Sequence, residues 1–505
     1  MTRFGFVIDQ RRCIGCHACT VACKTEHGVE LGVFRTWVKY IEQGEFPDTR
    51  RQFSVLRCNH CDDAPCVAVC PVGALYKRED GIVDFDGERC IGCKACMNAC
   101  PYDALYIDPR SQTAAKCNFC AHKVDVGLKP ACETVCPADA IISGDLDDPD
   151  SEVSRLVATV PAHVRAPEQG TGPNVFYLGA AQAALNPLMV GGDGAYVTTE
   201  MPPSQQVKLA PLTAGAPARA LSDVDHPPPW GWRVSSYFLS KGVAAGAMML
   251  AVLLLVVGAD GSALADVVPG LLALGGIGLT GIFLVADLKR PERFYFLFTR
   301  PQWRSWLAIG AQCINVAALV ALAFTAAALL GEDGLRDALR WAMVPAGALL
   351  AGYTAFLFNQ CEGRDLWQSP LLLAHTIVNA VVAGAGALAI AALFADAPGA
   401  AQRALGWALV LGVAASAAIV ALDTFAKHPT AQAERAAKNL WRDLYARRFW
   451  LGGVLTGLVA PLALGCVFLA AGGLGWLAAG GALALVGLWF YEDAWVRAGQ
   501  SVPLS

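Results

Sequence analysis

The chain has 505 residues, of which 55% are hydrophobic and only 16% charged, against about a quarter charged in an average soluble protein. That deficit, with a mean hydropathy of +0.42, argues against a wholly soluble protein, and a net charge of −4 gives no reason to expect nucleic acid as a partner. Of 19 cysteines, sixteen fall between Cys13 and Cys136, and the other three, Cys313, Cys361 and Cys466, are read as small apolar residues.

The N-terminus, MTRFGFVIDQRRC, has neither an apolar core nor a twin-arginine signal followed by one. The expectation is no export signal, a cytoplasmic start and reduced thiols that bind metal. The cysteines fall into four motifs. Cys13, Cys16, Cys19 and Cys23 form the first; Cys58, Cys61, Cys66 and Cys70 the second; Cys90, Cys93, Cys96 and Cys100 the third; Cys117, Cys120, Cys132 and Cys136 the fourth. Proline follows the last cysteine of motifs two, three and four. Three thiolates on a tight loop can hold three corners of a cubane, and the fourth cysteine of such a run ligates the neighbouring cluster of a pair. Zinc sites prefer two separated CxxC pairs. No motif has lost a ligand, so four 4Fe–4S clusters are expected. The repeat CIGCxAC at 13–19 and 90–96 marks an internal duplication.

Residues 151–230 form a bridge rich in Pro and small residues, in which only VFYLGA, 175–180, reads as a strand. The rest is expected to lie extended or to be partly mobile. Beyond it, eight apolar stretches are long enough to span a bilayer: about 234–258, 267–287, 305–330, 341–360, 370–395, 404–425, 449–471 and 475–492. An even number of spans returns both ends to the side of the cysteine region, the near side. Near-side loops carry thirteen cations (Lys289, Arg290, Arg293, Arg300, Arg304, Arg364, Lys427, Arg435, Lys438, Arg442, Arg447, Arg448, Arg497), and far-side loops carry three (Arg336, Arg340, Arg403). Positive loops stay inside, so the near side is expected to be cytoplasmic; alternatively the cations dock the cysteine domain or a partner. Trp303, Trp306, Trp367, Trp441 and Trp450 suit a near-side aromatic belt, and Trp341, Trp407 and Trp476 a far-side one.

Polar residues within the spans crowd the near half: Tyr237, Ser240, Lys241, Asp287, Gln312, Asn315, Tyr353, Asn359, Gln360, His375, Asn379 and Asp423. Intramembrane polar groups are costly and often functional. Tyr237 with Lys241, and His375 with Asn379, are helical neighbours at i, i+4. Individually, Lys241 could snorkel to the headgroups, Asp287 could pair with Arg290, and Asp423 with Lys427. His375 and Tyr353 could be packing residues. His375 is the one histidine inside a span, and a bis-histidine haem needs two, so no haem is expected in the bundle. A diffusing carrier, quinone, is the natural redox partner.

Residues 1–180 resemble the four-cluster subunit of the dimethyl sulfoxide reductase family of molybdenum enzymes, on the motif order, the widened fourth motif and the later segment GTGPNVFYLGA. The resemblance implies that motifs one and four exchange ligands, as do two and three. Cys13, Cys16, Cys19 and Cys136 then hold a first cluster, and Cys117, Cys120, Cys132 and Cys23 a second. Cys58, Cys61, Cys66 and Cys100 hold a third, and Cys90, Cys93, Cys96 and Cys70 a fourth. It further implies a wire whose first pair faces a catalytic subunit and whose second pair faces the membrane. The segments GWRVSSYFLSKGVAAGA (231–247), LVADLKRPERFYFLFTRPQWRSW (284–306) and GYTAFLFNQCEGRDLWQSPLLLAH (352–375) resemble the polysulfide reductase-type (NrfD) membrane subunit. That likeness implies a quinone site near the iron–sulfur side and no haem.

The expected fold is an α+β ferredoxin-like domain of two duplicated dicluster units over 1–180, an extended linker over 181–230, and an all-α membrane domain of eight helices over 231–505. The expected function is that of a quinone-linked electron-transfer and membrane-anchor subunit in a bacterial-type inner membrane. A separate large subunit would hold molybdopterin, and the carrier would be menaquinone or ubiquinone. Lys241, Tyr237, Asp287, Asn359, His375 and Asn379 are the candidate quinone residues. Two alternatives stand beside this: a quinol-oxidising subunit feeding a multihaem cytochrome or another complex, and an anchor or proton-translocating module with quinone bound elsewhere.

Overall fold

The computed structural model describes residues 2–45, 47–192 and 218–505. Among the described residues the cysteine region is built on two four-stranded sheets and two two-stranded ones, β4 Leu75–Lys77 with β5 Val83–Phe85 and β6 Tyr106–Ile107 with β7 Ala114–Ala115. The first four-stranded sheet has the order β8-β1-β10-β9, with β1 Phe4–Asp9, β8 Ile141–Asp145, β9 Ala162–His163 and β10 Val175–Leu178. β1 lies parallel to β10 and antiparallel to β8, so the start of the chain is stapled to the end of the cysteine region. Phe6, Val7 and Ile8 are fully buried, as expected for a central strand covered on both faces. The second sheet has the order β11-β12-β2-β3, with β2 Thr36–Gln43, β3 Arg50–Arg57, β11 Val190–Gly192 and β12 Ala218–Ser222.

The bridge over 151–230 holds more strands than 175–180 alone. Its described parts contribute β11 and β12, and β12 pairs with β2. The strands are only three and five residues long, too short for a periodicity signal. The helix Glu152–Thr159 is a further departure from an extended bridge; Ser151 caps it, accepting from Ser154 N at 3.1 Å. The proline-rich stretch at 193–217 lies outside the described residues.

The duplication seen in the sequence recurs in the backbone. Gly15 and Gly92 both sit at φ 70°, and His17 and Lys94 at 59° and 65°. Each CIGC loop thus uses closely spaced left-handed kinks to wrap its cysteines round a common centre, one at a glycine that carries no Cβ penalty.

Among the described residues eight helices are long and apolar enough to cross a membrane: Trp232–Val256, Val268–Asp287, Trp306–Leu330, Asp333–Asn359, Leu372–Ala391, Gly399–Phe425, Arg448–Ala471 and Leu474–Gly499. They are called spans one to eight. Span one is the hub, packed against spans two, four, five and eight. It meets span five backbone to backbone: a Cβ on Gly246 would stand 1.8 Å from Ala380 O, and one on Gly384 2.2 Å from the Gly246 carbonyl carbon. Small residues permit such approach where lipid supplies no hydrophobic drive.

Two spans are longer than their apolar stretches. Span four begins at Asp333, because Arg336 and Arg340 close an ion-pair network with Asp260, Asp266 and Asp337. Span eight continues to Gly499, where Asp493 is held by Arg448 and Arg497. Trp367, read as a belt residue, is fully buried, whereas Trp303, Trp450, Trp341, Trp407 and Trp476 are exposed as a belt requires. Of the three scattered cysteines, Cys361 is buried, Cys313 half-buried and Cys466 exposed.

The loop between spans two and three, 288–305, clamps the cysteine domain. Lys289 N and Arg290 N donate to Gly92 O and Ile91 O, both at 3.2 Å. Arg293 Nη1 donates to Gly87 O at 2.7 Å and Cys90 O at 3.0 Å. Gln302 N reaches Pro71 O at 2.8 Å, and Ser305 Oγ reaches Val69 O at 2.7 Å. The loops of motifs two and three therefore sit on the membrane domain.

Candidate functional site

The cysteines gather round cavities. Cys23 stands with Cys117, Cys120 and Cys132 on the wall of one, together with Phe6, Arg57 and Phe119. Cys70 stands with Cys90, Cys93 and Cys96 on the wall of another. Cys13 lies near enough to Cys16 and Cys136 to feel their charge, as does Cys66 for Cys58, Cys61 and Cys100. Among the described residues no trio of His, Cys, Asp or Glu converges tightly enough for a single metal ion. A ring of four thiols round a cavity is instead the arrangement a multi-atom cluster requires. Burial pushes the thiols of Cys19 and Cys120 up to about 11. Thiolates persist in such surroundings where bound metal compensates them. Backbone N–H groups of Ala74, Gly92 and Ala140 point at Cys70, Cys90 and Cys136 Sγ, at 3.2, 3.4 and 3.3 Å. The donor set and its surroundings fit iron–sulfur clusters.

The two ends of this domain differ. Cys16 is exposed, and Ile14, Val21, Val126 and Val135 are 61%, 61%, 69% and 41% exposed around motifs one and four. At the membrane end, Trp230 Nε1 donates to Cys93 O at 3.1 Å. Its ring lies 5.7 Å from Trp367 and 5.2 Å from Phe358, and these lie 6.0 and 5.4 Å from Trp495.

Trp495 lines an apolar cavity in the near half of the bundle, between spans one, four, five and eight. Lys241, His375 and Asn379 share that cavity. Lys241 is 2% exposed and does not snorkel: Nζ donates inward to Ala351 O at 3.2 Å and to Thr354 Oγ1. Asn379 Oδ1 accepts from Ser416 at 2.9 Å. The His375 ring stacks on Tyr491 at 5.3 Å. Asp423 accepts from Ser369 rather than pairing with Lys427.

The other three candidates do not line the cavity. Tyr237 is buried against Phe238, their rings 5.1 Å apart. Asn359 is exposed near the end of span four. Asp287 pairs at 2.8 Å with Lys94, across the seam between domains, while Arg290 pairs with Glu292 at 3.1 Å. In their place the structure adds Tyr491 and Glu492. Both are buried, and Tyr491 Oη, Glu492 Oε2 and Trp495 Nε1 have no hydrogen-bond partner among the described residues. Unpartnered buried polar atoms round a cavity are costly unless a ligand or water meets them.

Three family profiles match the chain: a 4Fe–4S dicluster domain over residues 49–146, a 4Fe–4S binding domain over 11–26, and Polysulphide reductase, NrfD, over 222–502. A tetrathionate reductase subunit of Salmonella typhimurium is 47% identical over 191 residues, covering 37% of this chain and 76% of that protein. A polysulfide reductase polypeptide of Wolinella succinogenes is 40% identical over 177 residues, 34% of this chain and 93% of that protein. The arsenate respiratory reductase iron–sulfur subunit of a Shewanella species is 37% identical over 226 residues, 35% of this chain and 96% of that protein. An iron–sulfur domain with relatives among reductase subunits thus precedes a multi-pass membrane domain matched by a family profile, and the chain belongs to the polysulphide reductase, NrfD family, carrying an iron–sulfur electron-transfer subunit fused ahead of its membrane domain.

Proposed function

We propose that this chain relays electrons through four 4Fe–4S clusters between a separate molybdopterin-containing catalytic subunit and a membrane quinone. The observation that carries this is the near-half cavity with Lys241, His375, Asn379, Tyr491 and Glu492 on its wall, reached from Cys93 through three contacting aromatic side chains. A few polar groups converging on an apolar wall match the chemistry of a flat apolar carrier with two oxygens. The cysteine sets are those stated above, with Cys136, Cys23, Cys100 and Cys70 each crossing to its partner motif. The exposed apolar rim around Cys16 supports docking of a large partner there. The curated relatives are named as subunits of reductases for tetrathionate, polysulfide and arsenate, which supports an oxyanion or sulfur-compound reductase as the complex.

When bound, the clusters supply one-electron steps and the quinone couples two of these to two protons. The chain's own part at the cavity is to hydrogen-bond the carrier's oxygens through Lys241 and Asn379, and to exchange protons at His375 and Glu492. We place the cysteine domain on the cytoplasmic side. Arg293 and Arg364 are engaged with the cysteine domain or its seam. In the basic segment at 427–448, by contrast, Arg435 pairs with Asp443 and Lys438 with Glu434, both within the segment itself. Docking therefore leaves much of the charge bias to topology.

The test is quinol or quinone turnover by the purified complex in Lys241→Ala and His375→Ala. Both are expected to slow the reaction at least about tenfold with iron content unchanged. Parent-like quinone kinetics in both variants remove the site. Purification by a tag on this chain should bring a large partner with Mo or W; a haem protein with neither metal would replace the partner.

A further inference from the structure

Two buried cations stand among the cysteines. Arg57, the last residue of β3, is 1% exposed. Its Nη1 donates to Cys132 Sγ at 3.1 Å, and its guanidinium lies 4.5 Å from the centre of the Phe6 ring. Nε and Nη2 have no hydrogen-bond partner among the described residues. The charges that act on it most are Cys132 and Cys117, of the second cysteine set, and Cys19, of the first. Lys116 is fully buried and donates to Val83 O and, at 2.9 Å, to Cys117 O. It feels Cys58 and Cys66 of the third set and Cys117 of the second, with Asp84 acting more weakly.

A third buried cation, Lys94, lies between Cys93 and Cys96 of the fourth set but is neutralised by Asp287 at 2.8 Å. Among the described residues neither Arg57 nor Lys116 closes such an ion pair. An unpaired cation in a protein interior is expensive. It is tolerated here because the thiolates are its counterions.

We propose that Arg57 and Lys116 set the reduction potentials along the wire: Arg57 raises those of the first and second clusters, and Lys116 those of the second and third. Adding an electron to a cluster adds negative charge, which a fixed cation a few ångströms away favours. Arg57 is protonated throughout the accessible range, so its contribution is constant. The second cluster receives both contributions and the fourth neither. The inference rests on the four-cluster reading, which spin integration and iron content of the unaltered protein test separately.

The experiment is an equilibrium redox titration of the holoprotein followed by electron paramagnetic resonance. Arg57→Gln keeps a donor and removes the charge. It is expected to lower the reduced-to-oxidised ratio of two clusters about tenfold at fixed potential, about 59 mV for one electron. Lys116→Gln is expected to lower two, one of them shared with the first variant. One cluster stays unmoved in both. Parent midpoints in both variants, or an equal fall in all four clusters, overturn the proposal. If a glutamine variant loses iron, Arg57→Lys and Lys116→Arg are read instead. Both keep the charge, and each is compared with Arg57→Met or Lys116→Met, which removes it: a selective fall in the methionine variant alone supports the proposal, and equal midpoints in the two overturn it.

Discussion

Glu492 is a carboxylate within the membrane half, buried in span eight, whose Oε2 meets no partner among the described residues. It shares a cavity with Lys241. If it exchanges protons with a bound quinone, Glu492→Gln keeps the shape and removes that exchange. Turnover is then expected to fall roughly tenfold or more while the clusters stay reducible by a soluble donor; stopped-flow measurement of quinol-driven cluster reduction checks this. Asp287 makes a different prediction. As the counterion of Lys94, it cancels a cation beside the fourth cysteine set. Asp287→Asn is expected to raise one cluster's potential, and that signal should be the one unmoved by Arg57→Gln and Lys116→Gln. These roles are hard to see in the sequence. Glu492 closes the apolar stretch read over 475–492, where a charge looks like an ordinary span end, and Asp287 has a basic neighbour, Arg290, at helical spacing. Only the fold brings Lys94 to Asp287 from almost two hundred positions away in the chain.

Neighbouring spans are held together by small-residue contacts between helices. Spans one and five touch at Gly246 and Gly384, where a side chain would meet backbone at 1.8 and 2.2 Å. Backbone cannot yield as a side-chain tip can. Gly246→Leu is therefore expected to cost about 3 kcal/mol or to abolish assembly, read as a lowered melting temperature in detergent. The clamp at 288–305 is built from carbonyls of the cysteine loops, with Arg293 reaching two of them at 2.7 and 3.0 Å. Arg293→Ala leaves both acceptors without that donor. Faster proteolytic release of the cysteine domain, with the bundle intact, is the expected result. Span existence was legible from hydropathy because lipid demands about 20 apolar residues per helix. Span ends were not, since Asp333, Arg336, Arg340 and Asp493 are charged but satisfied by one another or by neighbours. Short strands such as β11 and β12 carry too few residues to show a period.

At the scale of the whole molecule, the cysteine domain has an exposed end at Cys16 and an end seated on the bundle, where a buried cavity lies at Trp495. At the far end of the bundle Arg336 and Arg340 lie in an ion-pair network at the start of span four, and among the described residues the far-side charges form no ladder between the faces. Quinone protons are therefore expected to exchange with the near side, making turnover electroneutral in this chain; proteoliposomes that build a membrane potential during quinone turnover would sink that idea. Accessibility of Cys16-region residues to a membrane-impermeant label in oriented vesicles tests the side directly. The iron–sulfur chemistry, the number of spans and the order of the two halves could all be read along the chain. Each is written in local patterns: cysteines a few residues apart, and runs of apolar residues as long as a bilayer is thick. The crossing of cysteines between motifs came from a family resemblance and not from spacing, and the places of Tyr491 and Glu492 on the cavity wall and of the buried cations became visible in three dimensions alone. Those depend on contacts between segments far apart in the chain, and no local pattern encodes them.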